Sequence, residues 1–204
     1  MPAPQYSGID VASFSTGEVQ TSSRGARNAA VLAKGGNTPW VRLPAGLRAP
    51  FGATSWQDEQ TDRRNLDLTD LNEELVNWLN RLDTWAVDHA FQECERLFKR
   101  KLSRDEIASM YIPVLKPGKG DWPPLLRLKC NVSGSKAVRC WERTDHDFEE
   151  SKLARRTLPD ELRDCRLEAC VQISSLWFQA KSFGLVLNIS DLVISESGCD
   201  CPFI

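Results

Sequence analysis

Several residue types that mark enzyme centres and metal sites are scarce in this chain. It holds two histidines, His89 and His146, with no ligand-spaced companions, and no C-x-x-C pair; Cys199-x-Cys201 stands alone near the end of the sequence. A zinc site needs three or four ligands at short, regular spacing, so no structural metal is expected. The seven cysteines are odd in number and irregularly spaced, several of them inside apolar strand patterns, which suits reduced thiols better than a disulfide framework. No phosphate-binding glycine loop, no G-x-S-x-G and no Cys/His pair is present, and no cofactor is expected. Apolar runs stay well short of about 18 residues, and the first residues lack the apolar core of a secretory signal. The expectation is an intracellular protein without a membrane span.

What is present is ordinary in bulk and uneven in distribution. The 204 residues are 41% hydrophobic and 26% charged, enough for one well-filled core, and the formal net charge is −2. That near-neutral total conceals blocks. Residues 19–57 carry five basic side chains, Arg24, Arg27, Lys34, Arg42 and Arg48, and no carboxylate. Residues 58–95 hold eleven Asp/Glu against three Arg, residues 96–143 twelve Lys/Arg against four Asp/Glu, and residues 144–204 eleven acids against six bases. Such segregation lets an overall acidic protein present one strongly positive surface.

Residues 1–38 are rich in Ser, Gly, Ala, Thr and Asn with little periodicity, and read as a flexible arm with at most a short Ala-rich helix near Arg27–Lys34. The folded domain is expected over 39–195 and a tail over 196–204. From Pro39 the prolines at 39, 44 and 50 impose extended backbone. Residues 63–68 alternate like a short strand. Asp70 and Glu73 form a variant capping box ahead of apolar residues at helical spacing from Leu71 to Phe98, which predicts one long amphipathic helix or two joined near His89. His89 falls close to the apolar stripe, the place of a partly buried structural histidine. Ser103 and Glu106 cap a second, short helix. Strands are predicted over 112–116, 125–131, 136–143, 167–179 and 183–195.

Two strand pairs carry the functional signal. In 125–130, Leu126, Leu128 and Cys130 point one way and Leu125, Arg127 and Lys129 the other. In 138–143, Val138 and Cys140 oppose Arg139, Trp141 and Arg143. Paired across Ser133-Gly134-Ser135, the two predict a hairpin with one apolar face and one face of cations around Trp141. Such a face suits single-stranded nucleic acid, whose phosphates attract cations and whose unstacked bases need a π surface. The same alternation equally describes a half-buried hairpin with a solvated outer face. In the last pair, Val171, Ile173, Ser175 and Trp177 share a face, so one of Trp177 and Phe178 belongs to the core, and alternation alone does not decide which.

A proline-bounded R-A-P-F-G (Arg48–Gly52), a long helix, Y-x-P-x-L-K (Tyr111–Lys116), W-P-P-L-L-x-L-K (Trp122–Lys129) and Q-I-S-S-L-W-F followed by K-x-F-G-L (Gln172–Leu185) occur in that order. In this the chain resembles the OB-fold single-stranded-DNA-binding proteins of tailed phages and of the large DNA viruses of algae and amoebae, with relatives in some protists. The resemblance covers roughly residues 40–195. It departs at the end, where the strongly acidic tail of that family is replaced by Ser195–Ile204 with only Glu196 and Asp200. The resemblance implies a mainly β fold with helical insertions, an OB-like five-stranded barrel beside one long amphipathic helix. It implies sequence-independent binding of single-stranded DNA, with RNA as a second ligand class, in replication, recombination or repair. It further implies partner contacts through the tail, a homo-oligomer as one assembly, and the nucleus ahead of the cytoplasm.

Residues carried over by matching motifs are Lys116, Arg127, Lys129, Trp177, Phe178, Lys181 and Phe183. Strand alternation adds Arg139, Trp141 and Arg143, and the basic block adds Lys119, Trp122 and Lys136. Two other classes compete. Asp145, His146, Asp147, Glu149 and Glu150 could serve a metal-dependent nuclease, but they lie in a polar stretch without the apolar neighbours that hold ligands rigid, the pattern of a solvated loop. A protein-interaction or RNA-binding OB-type module without a DNA role would use the same exposed aromatics.

Overall fold

The computed structural model describes residues 3–23, 25–54, 62–118, 120–144, 152–159 and 162–196, and for residues 143, 144, 152 and 196 the backbone alone. Its organising element is a long hairpin of β12 (Cys165–Phe178) and β13 (Phe183–Glu196), which pair antiparallel along their whole length. The turn is closed by Gln179 N–H donating to the Ser182 carbonyl at 2.8 Å. Alternation explains the hairpin: Leu167, Ala169, Val171 and Ile173 are buried from one strand and Leu187, Ile189, Leu192 and Ile194 from the other.

Shorter strands add to both edges of this spine. On the β12 side lie β2 (Arg27–Leu32), itself paired with β1 (Ser15–Thr21), then β3 (Trp40–Arg42) and β4 (Leu47–Ala49). On the β13 side lie β7 (Tyr111–Ile112), β9 (Leu125–Asn131) and β10 (Arg139–Thr144), all parallel to it. β6 (Arg63–Leu68) continues from β9 to β5 (Ala53–Thr54), β8 (Leu115–Lys116) flanks β9, and β11 (Lys152–Arg156) flanks β10. The described residues thus form one thirteen-stranded sheet whose strand path, β1-β2-β12-β13-β9-β6-β5, does not close. The chain is mainly β with few helices, as expected. The five-stranded barrel is not what the strand path describes; a single bridge between Arg48 and Thr69 joins β4 to the end of β6.

The long helix divides. α1 spans Glu73–Gln92 and α2 Cys94–Phe98, the second of the two expected arrangements, with the junction at Glu93, one turn after His89. Its N-cap is Asn72, whose side chain accepts from Leu75 N–H at 2.8 Å, while Asp70 adopts a left-handed φ of 60° outside the helix. Leu75, Trp78, Leu79, Leu82, Ala86 and Ala90 bury the predicted stripe. α3 (Arg104–Met110) starts at the expected capping box of Ser103 and Glu106.

Residues 1–38 do not behave as a flexible arm. Within them Tyr6, Val11, Phe14, Ala29 and Val31 are core residues, and β1 and β2 form a hairpin hydrogen-bonded to β12. Tyr6 meets Trp78 edge to face at 5.8 Å between ring centroids, and Phe14 meets Trp85 at 5.6 Å. Thr16 Oγ1 lies 2.8 Å from His89 Nε2 and accepts from Arg96 at 2.6 Å, which fastens β1 to the helical layer. His89 stacks on Trp85, and its pKa is lowered chiefly by burial, the place foreseen for a structural histidine. The polar composition misled because the buried positions here are few, widely spaced and contributed mostly by edge elements.

Removing residues 1–32 should therefore unfold the protein. Each lost large apolar side chain forfeits about 1.5–3 kcal/mol of burial, so together they rival the whole of a typical domain's 5–15 kcal/mol. Loss of a cooperative thermal transition checks this; a truncated chain melting as sharply as the full one would refute it.

Candidate nucleic-acid interface

One open groove of about 750 Å³ gathers basic side chains from four parts of the chain: Arg27 from β2, Arg63 from β6, Lys116 from β8, and Arg127 and Lys129 from β9. Alternation in β9 sends Leu126, Leu128 and Cys130 into the core and Arg127 and Lys129 into this groove. Ile112, Pro113, Leu185 and Trp177 supply its apolar wall. No carboxylate is among its described lining residues.

The cations are held in place and crowd one another. Arg127 donates to both oxygens of Asp67, at 2.6 and 2.5 Å, and that pairing raises the Arg127 pKa; Asp67 itself is buried behind it. Lys129 Nζ donates to Asn65 Oδ1 at 2.6 Å. Burial lowers the Lys129 pKa first, and the charges of Arg63, Arg127 and Lys116 lower it further. Lys116 is lowered by burial and then by Arg127. A site in which positive charges disfavour each other is relieved by an anion.

Trp177 owes its position to a register shift. The β12–β13 pairing slips between Ile173 and Ser175, so burial alternates on one phase up to Ile173 and on the other from Leu176. Leu176 and Phe178 therefore enter the core, and Trp177 turns to the groove, off the face of Val171 and Ile173 with which alternation had grouped it. Across the hairpin its partner is Gly184, where a Cβ would come within 3.0 Å of the Trp177 indole nitrogen and of the Ile112 carbonyl. The missing side chain is the space in which the indole lies.

Phe178 and Phe183 correct the expectation that both offer stacking surfaces. Phe183 is fully buried and Phe178 4% exposed, packed with Phe98 and, for Phe183, Tyr111. Their rings form the floor beneath the groove, with the Arg27 guanidinium 6.0 Å from the Phe178 centroid.

The predicted β9–β10 hairpin is also corrected. Both strands pair in parallel with β13, Lys129 opposite Asn188 and then Arg139–Glu142 opposite Asp191–Ile194, so they follow one another along it. Chain direction is kept across the 132–138 turn, with Val138 N–H donating to the Asn131 carbonyl at 2.8 Å. Arg139 and Trp141 therefore stand away from the groove, both tied to Asp191 at 2.8 and 2.9 Å. Burial acts to raise the Asp191 pKa, but hydrogen bonds from Arg139, Trp141 and Ser190 outweigh it and leave it lowered. Lys136 and Lys181 are exposed in turns, and Trp122 is 67% exposed in the loop before β9. Lys119, the side chain of Arg143 and the 145–150 acidic cluster lie outside the described residues. Arg27 and Arg63 lacked any signal beyond alternation in short polar strands, which composition had hidden.

The wall at Ile112–Val114 is anchored from below. Tyr111 Oη donates to Asp83 Oδ1 at 2.5 Å, and Val114 N–H donates to the same oxygen at 3.3 Å. Burial pushes the Asp83 carboxyl up to about 6, against the lowering effect of these bonds.

The fold has known counterparts. The single-stranded DNA-binding protein gp2.5 of bacteriophage T7 superposes with a TM-score of 0.50 at 12% identity, covering 80% of this chain and 89% of that one. The single-stranded DNA-binding protein of bacteriophage Enc34 in complex with single-stranded DNA gives 0.47 at 12% identity, over 86% and 93%. No family model matches the sequence, and a search of curated proteins finds no match. No helix among the described residues is long and apolar enough to cross a membrane.

Asp83 sets a pH dependence. Its folded pKa lies above the ordinary value, so its contribution to stability is complete below about pH 4 and is lost as pH rises through about 6. At about 1.4 kcal/mol per unit, the loss is of the order of 2–3 kcal/mol. Denaturant unfolding of Asp83→Asn should show a flatter stability profile between pH 4 and 7; an unchanged profile would assign the dependence elsewhere.

Proposed function

We propose that this protein binds single-stranded DNA, largely without regard to sequence, in the groove between β8, β9 and the turn of the β12–β13 hairpin. The observation that carries the reading is the convergence of Arg27, Arg63, Lys116, Arg127 and Lys129 with Trp177 in one open groove free of described carboxylates. Phosphates neutralise the crowded cations and a base stacks on the indole, an interaction available to every base because each has a π face. The fold shared with T7 gp2.5, a single-stranded DNA-binding protein by name, supports the same reading.

Binding of this kind is non-catalytic and serves to protect or organise single strands in replication, recombination or repair. The ring of β12, β13, β9, β6 and β4, in which only the Arg48–Thr69 bridge links β6 to β4 among the described residues, is read as a partly open OB-type platform. Exposed Trp122 and Lys181 are read as extending the platform, and the tail beyond Glu196 as a partner-recruiting segment.

Fluorescence anisotropy with labelled oligo-dT, oligo-rU and duplex at two salt concentrations tests the reading. Single strands should bind more tightly than duplex, and log affinity should fall with log salt by about 0.7 per phosphate contact. Replacing Arg127 and Lys129 together with Ala should weaken binding to every sequence and flatten that slope by about 1 or more. Preference for duplex, or affinity indifferent to the double substitution, would overturn the assignment.

Stacking is tested separately. Trp177→Ala should cost about 1–3 kcal/mol of binding with little change in melting temperature. Gly184→Val should act in the same direction by displacing the indole. Intact affinity in both variants would remove Trp177 from the site.

A further inference from the structure

A second cleft, of about 820 Å³, opens on the other side of β6 and is lined by Arg64, Arg139, Arg155 and Arg156 around Cys140 and Leu162. Four arginines border it, and no carboxylate is among its described lining residues. Two are already occupied: Arg139 pairs with Asp191 at 2.8 Å and Arg156 with Glu142 at 3.2 Å. Arg64 differs, because its Nε is buried and has no hydrogen-bond partner among the described residues. A buried donor without an acceptor is destabilising, and an incoming anion would supply the missing acceptor.

The cleft and the groove share one rim. Arg63 and Arg64 are neighbours on β6 and point to opposite sides, the first into the groove and the second into the cleft. Beside them, the paired strand β9 places Lys129 in the groove, and Val132, just past that strand, lines the cleft. The rim is fixed by Val132 N–H donating to the Asp62 carbonyl at 2.8 Å and by the Ser133 hydroxyl donating to the Asp62 carboxylate.

We propose that this arginine cleft is a second phosphate-binding site, entered by a single strand that leaves the groove across the Arg63 rim. The path rests on the reading of the groove as a single-strand site; the affinity of the cleft for phosphate does not. Guanidinium groups suit it because each offers a planar fork of donors to a phosphate and stays charged at any working pH.

The test uses the full chain and the variants Arg64→Ala and Arg155→Ala, the second chosen because Arg155 is exposed and its replacement leaves the core untouched. Binding is measured with oligo-dT of about 5 nucleotides, enough to fill one site, and of about 20, enough to reach both. Thermal shift with inorganic pyrophosphate is recorded alongside. Both variants should bind the short strand as the wild type does and the long strand about 5–20-fold more weakly, with the long-strand salt slope lowered by about 0.7 per lost contact. Pyrophosphate should stabilise the wild type and not the variants. If the pyrophosphate effect is lost while long and short strands respond alike, the site stands and its phosphate comes from a free ligand rather than the strand. If the wild type binds no oligonucleotide, the reading of the groove fails, and the pyrophosphate arm alone decides the cleft. If the variants match the wild type in long-strand binding and in pyrophosphate response, the proposal is overturned.

Discussion

The hydrogen-bonded pairing of β12 with β13 is the constraint from which the other features derive. Two fourteen-residue strands, locked by a four-residue turn, offer two long unsatisfied edges, and edge groups must find partners or water. Every strand that completes them is much shorter, and each is placed by its register on the spine rather than by its own length. Position along the hairpin thereby becomes position in the site: β2 and β7 pair near the turn, at Trp177 and Gly184, with Lys129 of β9 opposite Asn188 further on. The groove is the space these ends enclose. A change in hairpin register would move β2 and β7 relative to the β6–β9–β8 group, whose strands pair directly with one another.

Within that frame the electrostatics are arranged against themselves. Asp67 satisfies Arg127 from below, a buried carboxylate that orients the guanidinium rather than cancelling the whole field. Lys116 and Lys129 remain with lowered pKa values because burial and neighbouring cations both disfavour their charge. A polyanion reverses each of those effects when it enters, so the groove gains most from a ligand that brings several regularly spaced negative charges. A single carboxylate ligand would relieve only part of the crowding.

Much of this was legible in the sequence where local rules act alone. The alternation of Leu126, Leu128 and Cys130 against Arg127 and Lys129, the helical stripe from Leu75 to Ala90 and the Ser103–Glu106 cap all follow from periodicity and capping chemistry. What failed depended on pairing between distant segments. The turn at Ser133–Ser135 looked like a hairpin because its residues are turn formers, yet β13 offered both flanking strands a parallel partner and the chain kept its direction. Nothing in 171–178 marks the slip after Ile173 that exchanges Trp177 and Phe178 between faces, since a bulge is set by both strands of a pair. The first 32 residues were misread because their buried positions gain meaning only beside α1 and β12.

That last error bears on how the groove is built. Arg27 donates to the Leu97 carbonyl at 2.6 Å, at the end of the helical layer, while its guanidinium lies over Phe178 and its side chain lines the groove. One residue of a supposedly dispensable arm thus ties together β2, the last turn of α2 and the aromatic floor. Arg96 does similar work on the next strand, donating to Thr16 Oγ1 and to the Gly17 carbonyl at 2.8 Å. The helices reach the site through such bonds, through Phe98 against Phe178 and Phe183, and through Asp83 beneath the wall, and they fix the hairpin that supplies one of its cations. Helical layer, N-terminal hairpin and groove therefore form one mechanical unit, with Leu97 and Phe98 of α2 meeting Arg27 and Phe178 directly.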